Sequence, residues 1–335
     1  MTKQVPFQHK HFAHCESGVM SLMISHHGLP LSEAMAFGLS GALLFAYIPF
    51  LKLGGMPLVT YRTRPKGIIK GLQQNLGIKM QMHTFSSPQK GMDMLDTLLA
   101  QGKIIGAQSS VFWLPYFPPE MRFHFNAHNL IIYGKEDRQY LISDPVFETR
   151  QRCEAKDLEK ARFVKGMMAP KGLLYYPHHI PKHIDFPVII PKVIYKNAKA
   201  MLKTPVPIAG IRGIRSLAKS IGRLDQKDPR WARLFLGHIV RMQEEIGTGG
   251  AGFRFIYASF LQEAATLLDN KDLQKASRMM TAVGDQWREF ALLAVTAIRK
   301  KKDKPVDFAA IGEKVNSLAD AEAEVYQELL DRNLA

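Results

Sequence analysis

Cysteine is scarce: Cys15 and Cys153 are the only two in 335 residues. That is too few for a disulfide-stapled scaffold, a cysteine-ligated zinc module or an iron–sulfur centre. A charged-then-apolar leader is missing too, because Met1 to Cys15 is polar and rich in histidine. Long apolar runs are few. Ala34 to Leu51 carries no charge, but Gly38, Ser40, Gly41 and Pro49 interrupt it. A buried helix running into a loop at Pro49 is expected there, rather than a membrane span. Gly247-Thr-Gly-Gly-Ala-Gly252 lacks the Gly-Lys-Ser/Thr ending of a phosphate loop, so it reads as a helix-to-helix turn. No aromatic-interleaved RNA-binding motif, zinc finger or helix-turn-helix signature is found. These absences predict a cytoplasmic protein with reduced thiols, binding neither membrane nor nucleic acid.

What is present is ordinary globular material, 46% hydrophobic and 22% charged, enough for one large core or two domains. The balance is basic, with 45 Lys+Arg against 30 Asp+Glu and a net charge of +15. Such a field favours acidic partners. The basic residues are scattered, apart from the run Arg299 to Lys304.

Patterning shifts midway. Lys66 to Leu76 and Pro88 to Gln101 read as helices, the second with Met92, Leu95, Leu98 and Leu99 on one face. Ile78 to Phe85 and Ile104 to Ser109 read as strands. Leu130 to Tyr133 and Gln139 to Ser143 read as a hairpin joined by Gly134-Lys-Glu-Asp-Arg138. Prolines 177, 181, 187, 191, 205 and 207 suggest a linker or strap over 176–207. Beyond Ile208, helix-period spacing marks Arg230 to Glu245, Phe253 to Asn270, Lys271 to Arg299 and Asp307 to Asn333. The expected class is α+β: an N-terminal domain over 1–175, the strap, and a helical domain over 208–335.

Two places could carry chemistry. Cys15 precedes the apolar helical run Val19, Met20, Leu22, Met23 and Ile24. A cysteine at a helix N-terminus meets the positive end of the dipole, which favours thiolate. His9, His11 and His14 would push the same way if charged. The alternative is a small buried hydrophobe. His128 stands just before the first hairpin strand and Asp144 just after the second, so antiparallel pairing brings them side by side. An Asp on one ring nitrogen would leave the other facing a thiol. Spacing alone leaves a triad and a buried thiol both open.

Several stretches resemble a known family. They are His14-Cys-Glu-Ser-Gly-Val-Met-Ser-Leu22, Gly41-Ala-Leu-Leu-Phe45, Ala127-His-Asn-Leu-Ile-Ile-Tyr-Gly134 and Leu141-Ile-Ser-Asp-Pro145. They look like the butirosin biosynthesis protein H N-terminal family. More distantly, the His and Asp-Pro hairpin is similar to the peptidases that cleave double-glycine leaders. Gly249-Gly-Ala-Gly-Phe-Arg254 with Tyr257-Ala-Ser-Phe-Leu261 resembles the helical domain that follows in the family.

The resemblance implies a papain-like cysteine fold and acyl transfer from the pantetheine thioester of an acyl carrier protein to an amine or hydroxyl of a small molecule. Carried onto this chain, Cys15 is the nucleophile, His128 the base and acid, and Asp144 its orienter. The leader peptidases place a glutamine shortly before the cysteine as an oxyanion donor, which points to Gln8, although its spacing departs from theirs. The glycine loop then suggests Gly249, Gly250 and Arg254 as substrate contacts. An acidic carrier would meet the basic series Arg212, Arg215, Lys219 and Arg223, which recurs at helical spacing. No bound cofactor is expected; phosphopantetheine arrives with the donor. His124 and His128 lack the intervening Glu of a zincin helix, so no metal is expected. Cys153 reads as a structural thiol. A non-catalytic scaffold and a cysteine peptidase or thioesterase are the alternatives.

Overall fold

Helices and strands alternate through the first half of the chain, and helices alone follow, in a computed structural model that describes residues 5–299 and 306–332. Most of the expected basic run, 300–304, and residue 333, the expected end of the last helix, lie outside the described residues. Chain order begins with α1 (Cys15–His26), α2 (Glu33–Leu39), β1 (Leu43–Leu53) and β2 (Met56–Arg62). Next come α3 (Gly67–Leu76), β3 (Lys79–His83), α4 (Pro88–Ala100) and β4 (Ile105–Ser109). The hairpin β5 (His128–Glu136) and β6 (Gln139–Ser143) is followed by β7 (Gln151–Glu154), α5 (Ala155–Phe163) and β8 (Leu174–His179). The remainder is α6 (Phe186–Lys203), α7 (Gly210–Ile221), α8 (Pro229–Glu244), α9 (Arg254–Leu268), α10 (Lys271–Arg299) and α11 (Phe308–Asp331).

Local chemistry sets many of these limits. Ser87 accepts from Lys90 N to cap α4, with Pro88 in the first turn, and the expected Met92, Leu95, Leu98 and Leu99 are its buried stripe. Asp228 caps α8 ahead of Pro229 in the same way, and Asp307 caps α11.

Two compact units result. The first comprises Met1–Ala36 and Ile68–Ile184 and holds a six-stranded antiparallel sheet in the order β3-β8-β4-β5-β6-β7. Leu130 and Ile132 of β5 join Leu95, Leu99, Val111, Phe117 and Leu158 in one core on one face of that sheet. This is the papain-like layout, a buried N-terminal helix with an antiparallel sheet. The second unit comprises Phe37–Gly67 and Asp185–Ala335, and pairs the β1–β2 hairpin with the helices α6 to α11. Within it, Tyr47 N donates to Ile208 O and Asn197 Nδ2 to Leu43 O. Among the described residues no helix is long and apolar enough to cross a membrane.

Four expectations change. Residues 34–51 are not one helix: α2 stops at Leu39, Gly41 turns at φ 65°, and the rest is β1. Pro49 fits inside that strand because the register shifts between Ile48 and Lys52, and a two-stranded ribbon offers only edge strands. The proline-rich 176–207 is not an irregular strap. Pro177 lies in β8, Pro187 in the first turn of α6 and Pro191 inside that helix, which buries Ile190, Val193, Ile194, Ala198 and Met201 on one stripe. Division at 175 and 208 gives way to the interleaved units, since the hairpin after α2 belongs with the later helices. The β5–β6 connection is also tighter than the five residues expected. Glu136 pairs Gln139, leaving only Asp137, at φ 51°, and Arg138 to turn.

Candidate active site

Cys15 is the first residue of α1, a helix whose residues Cys15 to Ile24 are all buried. His14 caps it: its Nδ1 accepts from Ser17 N at 3.2 Å. His9 donates from Nε2 to Phe147 O at 3.0 Å and shares a bond of 2.7 Å between Nδ1 and Ser143 Oγ. The histidines of the arm thus include a helix cap and a tether. Glu33 fixes the approach to the helix by accepting from Ala13 N, His14 N and Ser17 Oγ. Burial nevertheless raises its carboxyl above the usual value. On the other side of Cys15, Glu16 is wholly buried and accepts from Ile68 N and Ile69 N at the start of α3. The Cys15 N–H is among those at the helix start with no carbonyl partner within α1.

His128 and Asp144 meet as antiparallel pairing predicts, with His128 Nε2 donating to Asp144 Oδ2 at 2.7 Å. Both side chains are buried, His128 at 5% exposure and Asp144 at 0%. The Cys15 sulfur also lies close enough to this ring to favour its protonated form. With Nε2 taken by Asp144, that leaves Nδ1 for the sulfur. Burial pushes the His128 imidazole down. The adjacent Asp144 carboxylate, its hydrogen bond and the Cys15 sulfur outweigh burial and raise the ring to about 10. Near neutral pH the ring thus stays protonated against the Asp144 carboxylate.

Four supporting residues were not singled out from the sequence. Tyr116 donates to Asp144 Oδ2 at 2.9 Å, and Val146 N donates to Oδ1 at 3.3 Å. Asn129, next to His128 on β5, brings Nδ2 to 4.0 Å from Cys15 Sγ and accepts from Tyr175 Oη at 2.9 Å. Gly106 of β4 leaves room for this tyrosine: a Cβ there would collide with the Tyr175 ring. Asn129 had a sequence signal in its place beside the candidate histidine. Tyr175 had none, because β8 was hidden by the prolines that follow it.

The remaining sequence candidates fall elsewhere. Gln8 is exposed, in a surface groove with Val5, Pro6, Phe7 and Arg150, and not among the buried side chains around Cys15. The arm reaches that groove because Arg150 binds Phe7 O and Phe12 N binds Pro145 O. Arg254, expected as a substrate contact, is engaged within the protein interior. It is wholly buried in the second unit, its Nε and Nη2 on the Glu322 carboxylate at 2.9 and 3.1 Å and Nη1 on Gly252 O at 2.7 Å. Gly249 and Gly250 adopt φ of 68° and 85° in the loop that this arginine anchors, and Gly250 N donates to Thr248 Oγ1. Glycine suits both positions because of this positive φ.

His124 is exposed and stacks on Phe112 at 4.2 Å. Among the described residues no group of three or more His, Cys, Asp and Glu could hold a metal ion. Cys153 lies in the core, and burial, followed by Asp157 and Glu154, pushes its thiol up to about 12. Arg212, Arg215, Lys219 and Arg223 are all exposed along α7 and just beyond it, although Arg215 is paired with Asp320 at 2.6 Å.

Comparison with known proteins finds family models for both halves of the chain. The family model for butirosin biosynthesis protein H, N-terminal, matches residues 14–145 and so includes Cys15, His128 and Asp144. A second model, a domain of unknown function (DUF4872), matches 156–329. A crystal structure described as a C39-like peptidase from Bacillus anthracis is similar at 13% identity, covering 53% of this chain and 96% of that one with a TM-score of 0.35. The search of curated proteins gave no match. The chain belongs to the DUF4872 family and carries in front of that domain an N-terminal region of the butirosin biosynthesis protein H family.

Proposed function

We propose that this chain is a cysteine acyltransferase that moves an acyl group from a pantetheine thioester, through Cys15, to an amine or hydroxyl of a small molecule. The observation that carries the reading is the buried His128, held through Nε2 by Asp144 and facing the thiol at the start of α1. Such a pair stores the nucleophile as thiolate and the acid as imidazolium.

In the first half-reaction the Cys15 thiolate attacks the thioester carbonyl, and charge moves to its oxygen. The Cys15 N–H at the helix start is the donor placed for that oxyanion. The C–S bond to pantetheine then breaks, and the leaving sulfur takes its proton from His128. In the second half-reaction the acceptor amine attacks the Cys15 thioester and passes one proton to His128. Collapse expels the Cys15 thiolate and restores the imidazolium. Phosphopantetheine is substrate here, delivered by an acidic carrier for which the exposed residues of α7 supply complementary charge.

Transfer and hydrolysis differ in what resolves the acyl-enzyme. Single turnovers with a short acyl-pantetheine thioester, run with and without a panel of amines and amino sugars, read this directly. The proposal expects acyl-enzyme decay to accelerate with acceptor concentration and acylated amine to accumulate. Decay that is independent of every acceptor, with free acid as sole product, would replace transferase by thioesterase.

A further inference from the structure

Asn129 is 1% exposed, yet no aliphatic side chain fills its place. A buried amide needs partners, and the partners it has fix its orientation. Tyr175 Oη donates to Asn129 Oδ1 at 2.9 Å, so the carbonyl end points toward β8. Nδ2 has two protons. One goes to Ala127 O at 3.1 Å, and the other is directed at Cys15 Sγ, 4.0 Å away. Tyr175 is itself fully enclosed, and its phenol is pushed well above its usual range by burial and then by the negative partners Glu16 and Cys15. It therefore stays a neutral donor and holds the amide in one orientation.

We infer that Asn129 is a catalytic residue, whose amide N–H, oriented by Tyr175, stabilises the negative charge on the Cys15 sulfur before it attacks. The inference rests on Cys15 being the nucleophile and adds a second stabilising group to the imidazolium. Tyr175 touches no reacting atom and is a positioning residue. The titratable groups around the sulfur are His128 from β5, Tyr175 from β8 and Glu16 of α1 itself, with Asp144 behind His128. Asn129 differs from all four in keeping its donor at every pH.

The test is the pH dependence of Cys15 alkylation by iodoacetamide, read by mass, in wild type, Asn129→Ala and Tyr175→Phe. Thermal melts run alongside report on folding. Loss of the amide donor is expected to slow alkylation by about tenfold on the acid limb of the profile, with the profile displaced about one pH unit to the alkaline side and rates converging at high pH. Tyr175→Phe, which changes no group in contact with the reacting carbon, moves the profile the same way by a smaller amount. It also carries the test if Asn129→Ala does not fold. Profiles that superimpose on wild type, or a loss equal at every pH, would overturn the inference. No acyl donor is present, so this failure is separate from failure of the transfer assay.

Discussion

His128→Ala is expected to slow acylation of Cys15 by about 10²- to 10⁴-fold, the usual loss when a positioned proton donor and acceptor is removed. The ring does two jobs in this account, balancing the thiolate charge and protonating the departing pantetheine sulfur. Asp144→Asn keeps the shape and removes the charge that opposes burial. Burial then dominates, so the ring loses its proton at lower pH than in wild type. In wild type the imidazolium persists to about 10, and the alkaline limb of the acylation rate falls there. In Asp144→Asn that limb moves to lower pH. Stability follows the same sign. A ring raised above its unfolded value near 6.5 stabilises fully below that value, and the contribution fades as pH rises through about 10. Stopped-flow release of pantetheine thiol across pH checks both variants. An alkaline limb unmoved in Asp144→Asn contradicts the assignment of His128.

The second large effect lies far from this chemistry in kind. Glu322 is wholly buried and accepts from Arg254 Nε, Arg254 Nη2, Trp287 Nε1 and Tyr326 Oη. Glu322→Ala leaves a buried guanidinium without its counter-charge, a change that costs about 3–5 kcal/mol. It also strips partners from a tryptophan and a tyrosine in the same core. Urea unfolding followed by tryptophan fluorescence should show a clearly lowered midpoint, and Glu322→Gln, which keeps an acceptor oxygen, should fall between. Midpoints within about 0.5 kcal/mol of wild type in both variants would mean that the network is not what anchors the Arg254 loop.

The parts of the site that sequence made legible are those with local signals. A cysteine before an apolar helical run and a His and an Asp at the open end of a hairpin follow from period and pairing alone, and α1, β5 and β6 place them as expected. Gln8 came from another family's spacing, and here it is exposed on an arm tied down by His9 and Arg150. Arg254 looked like a ligand contact because it follows glycines. Its partner Glu322 is 68 residues away, a pairing that no local pattern reveals. Residues 34–51 misled for a related reason. An uncharged run fits either a buried helix or a strand, and the bulge that admits Pro49 depends on β2. The interleaved units were equally hidden, since chain order gives no sign that β1 and β2 pack with later helices.

The most direct measurement is intact-protein mass after brief exposure to a panel of acyl-pantetheine thioesters, with Cys15→Ala alongside. The account predicts a single acyl adduct on wild type, located at Cys15 by peptide mapping, reversed by hydroxylamine and absent from the variant. No adduct from any donor, or an adduct that persists in Cys15→Ala, would contradict it.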